Sequence, residues 1–237
     1  MIVYHLISDQ YALDVIANQR IKVSRFDDLN DPFELQAMDL NNIKYRNKFL
    51  EFKQDMSIRF GLLCFSKNWS NPLLWSHYAN RHKGVAFIFE VKDKSVLPMK
   101  YRKKRYPIEL DSVRNRSWRF SKSETDAIWL TKYHEWKYEE EMRVILNQSE
   151  FYQENGIYFH SFGDEILLKG MVLGFLCNIS IADIARYLPS GKRLTVIKSR
   201  LAFRTFKVVK DETFKTLNLV GKAEQINPAD SAKAPSS

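Results

Sequence analysis

The stretch WKYEEEMRVIL, Trp136 to Leu146, sets three glutamates and an arginine inside a run with the apolar character of a buried strand. Strands are poor in glutamate, because a carboxylate on a buried face must be paired or neutralised. Side chains alternate along a strand. On that pattern Trp136, Tyr138, Glu140, Met142, Val144 and Leu146 share one side, and Glu139, Glu141, Arg143 and Ile145 the other. The second side is then a row of carboxylate, carboxylate and guanidinium at ~6.5–7 Å intervals. Two readings stay open. One is an exposed polar face with Glu141 paired to Arg143, worth under ~1 kcal/mol. The other is a cleft in which Glu141 polarises a hydroxyl or stabilises a cation while Arg143 holds it in place.

Other residues invite the same question. In CFSKNWSNPLLWSHYANRHKG, Ser66 ends a buried strand, where its hydroxyl emerges at the edge, and Trp75 and Tyr78 sit at helical spacing. The bland alternative there is an aromatic helix packed on a sheet. His77 and His82 are five apart, off the i, i+4 spacing of a helical metal pair, so no metal is expected. His5, in VYHLIS, lies on the first strand facing away from Tyr4. It is either a satisfied structural histidine or a ligand group. Asn30, Asp31 and Pro32 predict a rigid Asx-type turn, with Phe33 plugging an apolar site. That turn is either a structural corner or a ligand-facing loop.

The elements that must position these groups read as follows. IVYHLI (2–7) is a strand, and Ser8 caps a helix through about Asn18. RIKVS is a second strand. Residues 41–60 are helical, GLLCFS is a buried strand, and Asn71 with Pro72 starts the helix NPLLWSHYANRH. Gly84 ends it before the strand VAFIFEV. Residues 99–123 hold nine Lys/Arg against Glu109 and Asp111. SETDAIWLTKYHEW is helical, YEEEMRVIL, GIYFHSF and LKGMVLGFLC are strands, SIADIARYL is a helix capped by Ser180, and TVIKSRLAFRTFKVVK gives one or two late strands. Strands and helices mix without βαβ alternation, and no glycine-rich phosphate loop follows the first strand. The expected fold is α+β, with mostly antiparallel strands in two packed sheets and flanking helices. A single domain over 1–220 is expected, with a disordered tail over 221–237.

Composition sets the outer limits. The 237 residues are 45% hydrophobic and 14% aromatic, enough for a sizeable core. The two cysteines, Cys64 and Cys177, sit in apolar runs and read as buried thiols of a reducing compartment. The N-terminus has no basic leader and no apolar run approaches the ~20 residues of a membrane span, so a cytoplasmic protein without membrane attachment is expected. The net charge of +9 favours acidic partners such as nucleic acid or another polyanion.

Taken in order, NDPFE, CFS, LLWSHYANRHKGVAFIFE and WKYEEEMR resemble the bacterial family catalogued as domain of unknown function 2971, over roughly residues 3–180. A remoter resemblance is to the ADP-ribosyltransferase superfamily. Its members carry a His or Arg on the first strand, a Ser or Tyr on a middle strand and a Glu on a later one. The resemblance implies an ADP-ribosyltransferase-like fold that uses NAD as substrate. It gives His5 the nicotinamide-side ribose, Ser66 the nicotinamide, with Tyr78 competing for that role, and Glu141 the ribose 2′-hydroxyl and the oxocarbenium ion. Glu139 matches the position that orients the acceptor, and Arg143 braces the site. The acceptor would be a nucleic acid or a protein, in a setting such as bacterial defence or toxicity.

The rival expectation is a basic nucleic-acid-binding or nuclease module without NAD chemistry. KYRKKRYPIELDSVRNRSWRF interleaves aromatic residues with Lys and Arg, a combination suited to single strands. Arg102, Lys103, Lys104 and Arg105 are its candidate contacts, on a surface excursion (100–122) expected to touch little of the core. The plain alternative is a solvated basic loop.

Overall fold

The computed structural model describes residues 1–26, 28–107 and 120–222. The architecture is α+β. A mixed nine-stranded sheet dominates it, with β1 (Ile2–Ile7), β3 (Phe60–Ser66), β4 (Val85–Val91), β5 (Leu97–Pro98), β8 (Glu141–Asn147), β11 (Ile166–Leu173), β12 (Arg193–Leu201), β13 (Val208–Lys210) and β14 (Leu217–Val220). The order is β13-β12-β11-β4-β1-β3-β8-β5, with β14 also paired to β12. Its pairs are antiparallel except β11–β12. Two smaller sheets accompany it. One contains β2 (Arg20–Lys22), β10 (Ile157–Ser161) and β9 (Tyr152–Glu154), and the other pairs β6 (Lys100–Arg102) in parallel with β7 (Thr131–Tyr133). The strands thus form one large sheet with two small companions, and Ile21 and Tyr158 of the three-stranded one pack into the core of the large sheet.

Alternation along the strands sorts the core onto two faces. Val3, Leu63, Phe65, Phe87, Phe89, Met142 and Val144 pack on one face with α1 (Asp9–Asn18), β2 and α5 (Ile181–Tyr187). The opposite face carries two further clusters. Leu62 packs with α2 (Ile43–Arg59) and α4 (Lys122–Trp129), and Leu6 and Ala86 pack with α3 (Pro72–Tyr78). The helix starts follow capping chemistry. Asn42 accepts from Lys44 N–H, Asn71 from Leu73 N–H beside Pro72, and Ser121 with Glu124 forms a capping box.

Several local expectations change. The helix read through His82 ends at Tyr78, and Asn80, Arg81 and His82 follow with φ of 44°, 53° and 70°. The helix read over 123–136 ends at Trp129, β7 follows, and residues His134–Glu139 form a 3-10 turn. Phe33 is 58% exposed and plugs nothing. The basic excursion is anchored where it is described: Tyr106 and Phe120 pack against the α2–α4 cluster, and Tyr101 reaches β8. Residues 108–119 lie outside the described residues, as does the expected tail from 223 on. Gly221, assigned to that tail, is hydrogen-bonded to Gly191 and Lys192. Among the described residues no helix is long and apolar enough to cross a membrane.

Candidate active site

The site forms where the central sheet parts. β1 is laddered to β4 over six residue pairs and β3 to β8 over seven, but β1 and β3 pair only at Tyr4 opposite Ser66. Further along, the edge of β3 that faces β1 finds other partners. Leu62 exchanges two 2.9 Å hydrogen bonds with Ser24, and His5 Nδ1 donates to Cys64 O at 3.0 Å. A side chain thus takes the ladder bond that a parted strand cannot make. The gap opens into a cavity of about 260 Å³, lined from β1, β3, β8, α3 and the chain after β2.

His5, Ser66, Tyr78, Glu139, Glu141 and Arg143 all line this one cavity. The reason differs from simple strand alternation. Glu139 ends the 3-10 turn, and Glu140, at φ 44°, turns the chain outward. Strand β8 begins at Glu141. The left-handed residue resets the phase, so the glutamates on either side of it both face inward. Glu140 stays exposed and accepts from Asn68 Nδ2 at 3.1 Å.

Five charged side chains meet in the interior. Arg143, fully buried, sets Nε 2.6 Å from Glu141 Oε1, Nη2 2.8 Å from Glu34 Oε1, and Nη1 2.9 Å from Trp129 O. Lys132 Nζ lies 2.6 Å from Glu139, 3.1 Å from Glu141 and 3.9 Å from Glu34. Three carboxylates against two cations leave one negative charge in excess when all are ionised. The Arg143–Glu34 contact is an ion pair without hydrogen-bond geometry.

Their proton affinities divide by environment. Burial works against ionised Glu141, but Arg143 and Lys132 outweigh it and bring its pKa down to about 2. For Glu34 burial dominates over Arg143 and the carboxyl shifts upward, so it takes a proton more readily than Glu141. Burial lowers the pKa of His5 against the opposing Cys64 hydrogen bond. With Nδ1–H committed to Cys64 O, neutral His5 keeps Nε2 as an acceptor. Tyr78 donates to Glu139 Oε1, and burial together with that carboxylate pushes its hydroxyl pKa up.

Ser66 is the correction among the candidates. Its hydroxyl does not emerge at a sheet edge: it is buried, 2.6 Å from Glu139 O and 2.7 Å from Asn68 O. Its single proton serves the backbone, and its effect is to pin the turn that carries Glu139 onto β3. Of the cysteines, Cys177 is buried and Cys64 half-buried on the cavity wall; both are free thiols, with Cys64 raised in pKa chiefly by burial.

The sequence offers Glu34 only, with Asp31, Glu139 and Glu141, as a carboxylate for a nuclease metal at no recognisable spacing; it does not single out Lys132 for the cavity, nor Tyr101, whose hydroxyl accepts from Glu141 N–H at 2.7 Å. Glu34 had a signal, since an acidic residue directly follows the Asx turn in which Asp31 Oδ1 accepts from Phe33 N–H at 2.9 Å. Lys132 had none. A second concavity of about 400 Å³ shares Lys132 with the first and is lined by Phe33 and exposed Arg102, Lys103, Lys104 and Arg105.

The site is therefore that of an α+β protein with a carboxylate-rich cavity in the parting of its main sheet. Compared with models of protein families, with curated proteins and with solved structures, the chain matches none of them.

Proposed function

We propose that this protein is an ADP-ribosyltransferase-like enzyme that uses NAD as substrate and modifies a nucleic acid or a protein. One observation carries the reading: His5, Tyr78, Glu139, Glu141 and Arg143, from three stretches far apart in sequence, share a single cavity where three carboxylates meet two buried cations. The likeness to domain of unknown function 2971 and to the transferase superfamily is part of the same proposal.

NAD supplies a scissile N-glycosidic bond, whose cleavage gives the bonding pair to nicotinamide and leaves positive charge on the ribosyl carbon. An excess buried carboxylate is suited to both the cationic nicotinamide ring and that later charge. Glu141, fixed by Arg143 and Lys132 and ionised at any ordinary pH, is the group preset against the developing cation. Glu139, between Tyr78 and Lys132, is placed to receive the proton of an attacking hydroxyl or amine. His5 offers Nε2 to a ribose hydroxyl. A cavity of about 260 Å³ suits a sugar and one heterocycle rather than a whole dinucleotide. The phosphates would then lie outside it, toward the basic concavity that shares Lys132.

The test is transfer of label from adenylate-labelled NAD to macromolecules of a cell lysate. Wild type transfers and folded Glu141→Gln does not. Equal labelling by both would remove Glu141 from the chemistry. The second reading, a basic nucleic-acid-binding or nuclease module without NAD chemistry, is favoured by exposed Arg102–Arg105. It predicts oligonucleotide binding unaffected by Glu141→Gln.

A further inference from the structure

Away from the cavity, β12 and β13 form a hairpin whose tip is residues 203–206, closed by Ala202 N–H donating to Lys207 O at 2.9 Å. Phe203 and Phe206 begin and end that tip, and they are 91% and 98% exposed. The next most exposed large apolar side chain among the described residues, Ile58, reaches 65%. Two nearly bare phenylalanines in one four-residue tip differ from singly scattered apolar residues, which need no explanation. The charge along the tip and its stems is positive up to Lys210, after which Asp211 and Glu212 follow. Residues 200–210 contain Arg200, Arg204, Lys207 and Lys210 and no acidic residue. Lys210 pairs with Glu212 at 3.1 Å, while Arg204 and Lys207 have no carboxylate partner among the described residues. A concavity of about 410 Å³ runs beside the tip, lined by Arg200, Phe203, Arg204 and Lys210, with Glu212, the partner of Lys210, as its one carboxylate. The Arg200 guanidinium sits 4.6 Å from the centroid of the Phe203 ring, so that ring face already carries a flat cation.

We infer that this hairpin tip binds single-stranded nucleic acid, with bases stacking on Phe203 and Phe206 and phosphates meeting Arg200, Arg204 and Lys207. Every base has a flat π-face, so stacking of this kind tolerates any sequence, and interleaved cations neutralise the backbone. The same residues suit a lipid surface less well. Arg204 lies at the apex between the rings, where a loop dipping into a bilayer would carry its charge deepest. The inference stands apart from the NAD chemistry, since none of these residues lines the cavity.

Fluorescence anisotropy of the full chain with a labelled oligo(dT) tests it. Wild type binds. Phe203→Ser with Phe206→Ser weakens binding about tenfold or more while keeping the salt dependence. Arg200→Ser with Arg204→Ser and Lys207→Ser flattens the salt dependence, and Phe203→Trp with Phe206→Trp retains affinity. None of the substituted residues belongs to the core clusters, and circular dichroism checks the fold of each variant. The inference is overturned if wild type does not bind oligo(dT), or if the double serine variant binds as wild type does. It is equally overturned if that variant instead loses binding to phosphatidylserine vesicles or changes self-association with oligonucleotide affinity untouched.

Discussion

Arg143 is where the site and the stability of the protein meet. It pairs with Glu141 at 2.6 Å and Glu34 at 2.8 Å, and Lys132 reaches the same two carboxylates at 3.1 and 3.9 Å. Removing one partner of a buried ion pair strands the other, at a cost of roughly 3–5 kcal/mol. Arg143→Met should therefore lower the unfolding free energy by about that much in denaturant titrations, and a loss below ~1 kcal/mol would mean that water solvates the cluster. Tyr78→Phe removes only a hydroxyl at the cavity wall. We expect it to slow turnover by roughly tenfold or more with little change in melting temperature, because Glu139 loses its oriented donor. His5 gives the pH prediction. Its folded pKa lies below the ordinary 6.5, so its contribution to stability is complete above about 6.5 and is lost as pH falls through the folded value. His5→Gln, which can still donate to Cys64 O, should flatten the decline of unfolding free energy on the acid side of pH 6.5. Identical pH slopes for the two proteins would contradict a buried neutral imidazole. Glu141 adds a second loss only as pH drops toward about 2.

At the scale of elements, Gly84 joins α3 to the sheet. A Cβ there would lie 2.1 Å from Ile7 O and 3.0 Å from the Ala79 backbone, atoms that cannot swing aside. Gly84→Ala should destabilise by roughly 1–3 kcal/mol, read as a lower melting temperature. A variant as stable as wild type would show that this junction adjusts. The long periodic elements were legible from the residues: IVYHLI, GLLCFS, VAFIFEV and the helix capped by Asn42 all form close to where patterning puts them. The turn around Glu140 was not, because a left-handed residue that resets a strand carries no signature when it is a glutamate among glutamates. Glu139 and Glu141 were assigned to one face by alternation and reach one cavity by that turn instead. Lys132 escaped because LTKYHEW reads as the end of a helix, whereas its capture needs the 3-10 turn that folds Glu139 and Glu141 back onto it and a contact with Glu34 far off in sequence. The parting of β1 from β3 was equally hidden, since strand pairing is set by which edges find partners.

At the scale of the whole molecule, a chain of net charge +9 holds a cavity in which three carboxylates meet two cations. The two fields have different tasks in the proposed chemistry: the surface gathers polyanions and the cavity accommodates a cation. Replacing Arg102, Lys103, Lys104 and Arg105 by Ser should weaken polyanion binding and shallow its salt dependence, measured by anisotropy across a salt series. Unchanged binding would exclude that concavity as a contact. The most direct measurement is release of nicotinamide from NAD by the purified protein, run beside Glu141→Gln with both confirmed folded by thermal melting. A charge that develops only as nicotinamide departs is felt in turnover rather than in binding, so wild type should release nicotinamide and the variant should do so about 10²-fold more slowly at similar NAD affinity. A folded wild-type protein that neither binds NAD nor releases nicotinamide, with or without an acceptor, would contradict the account.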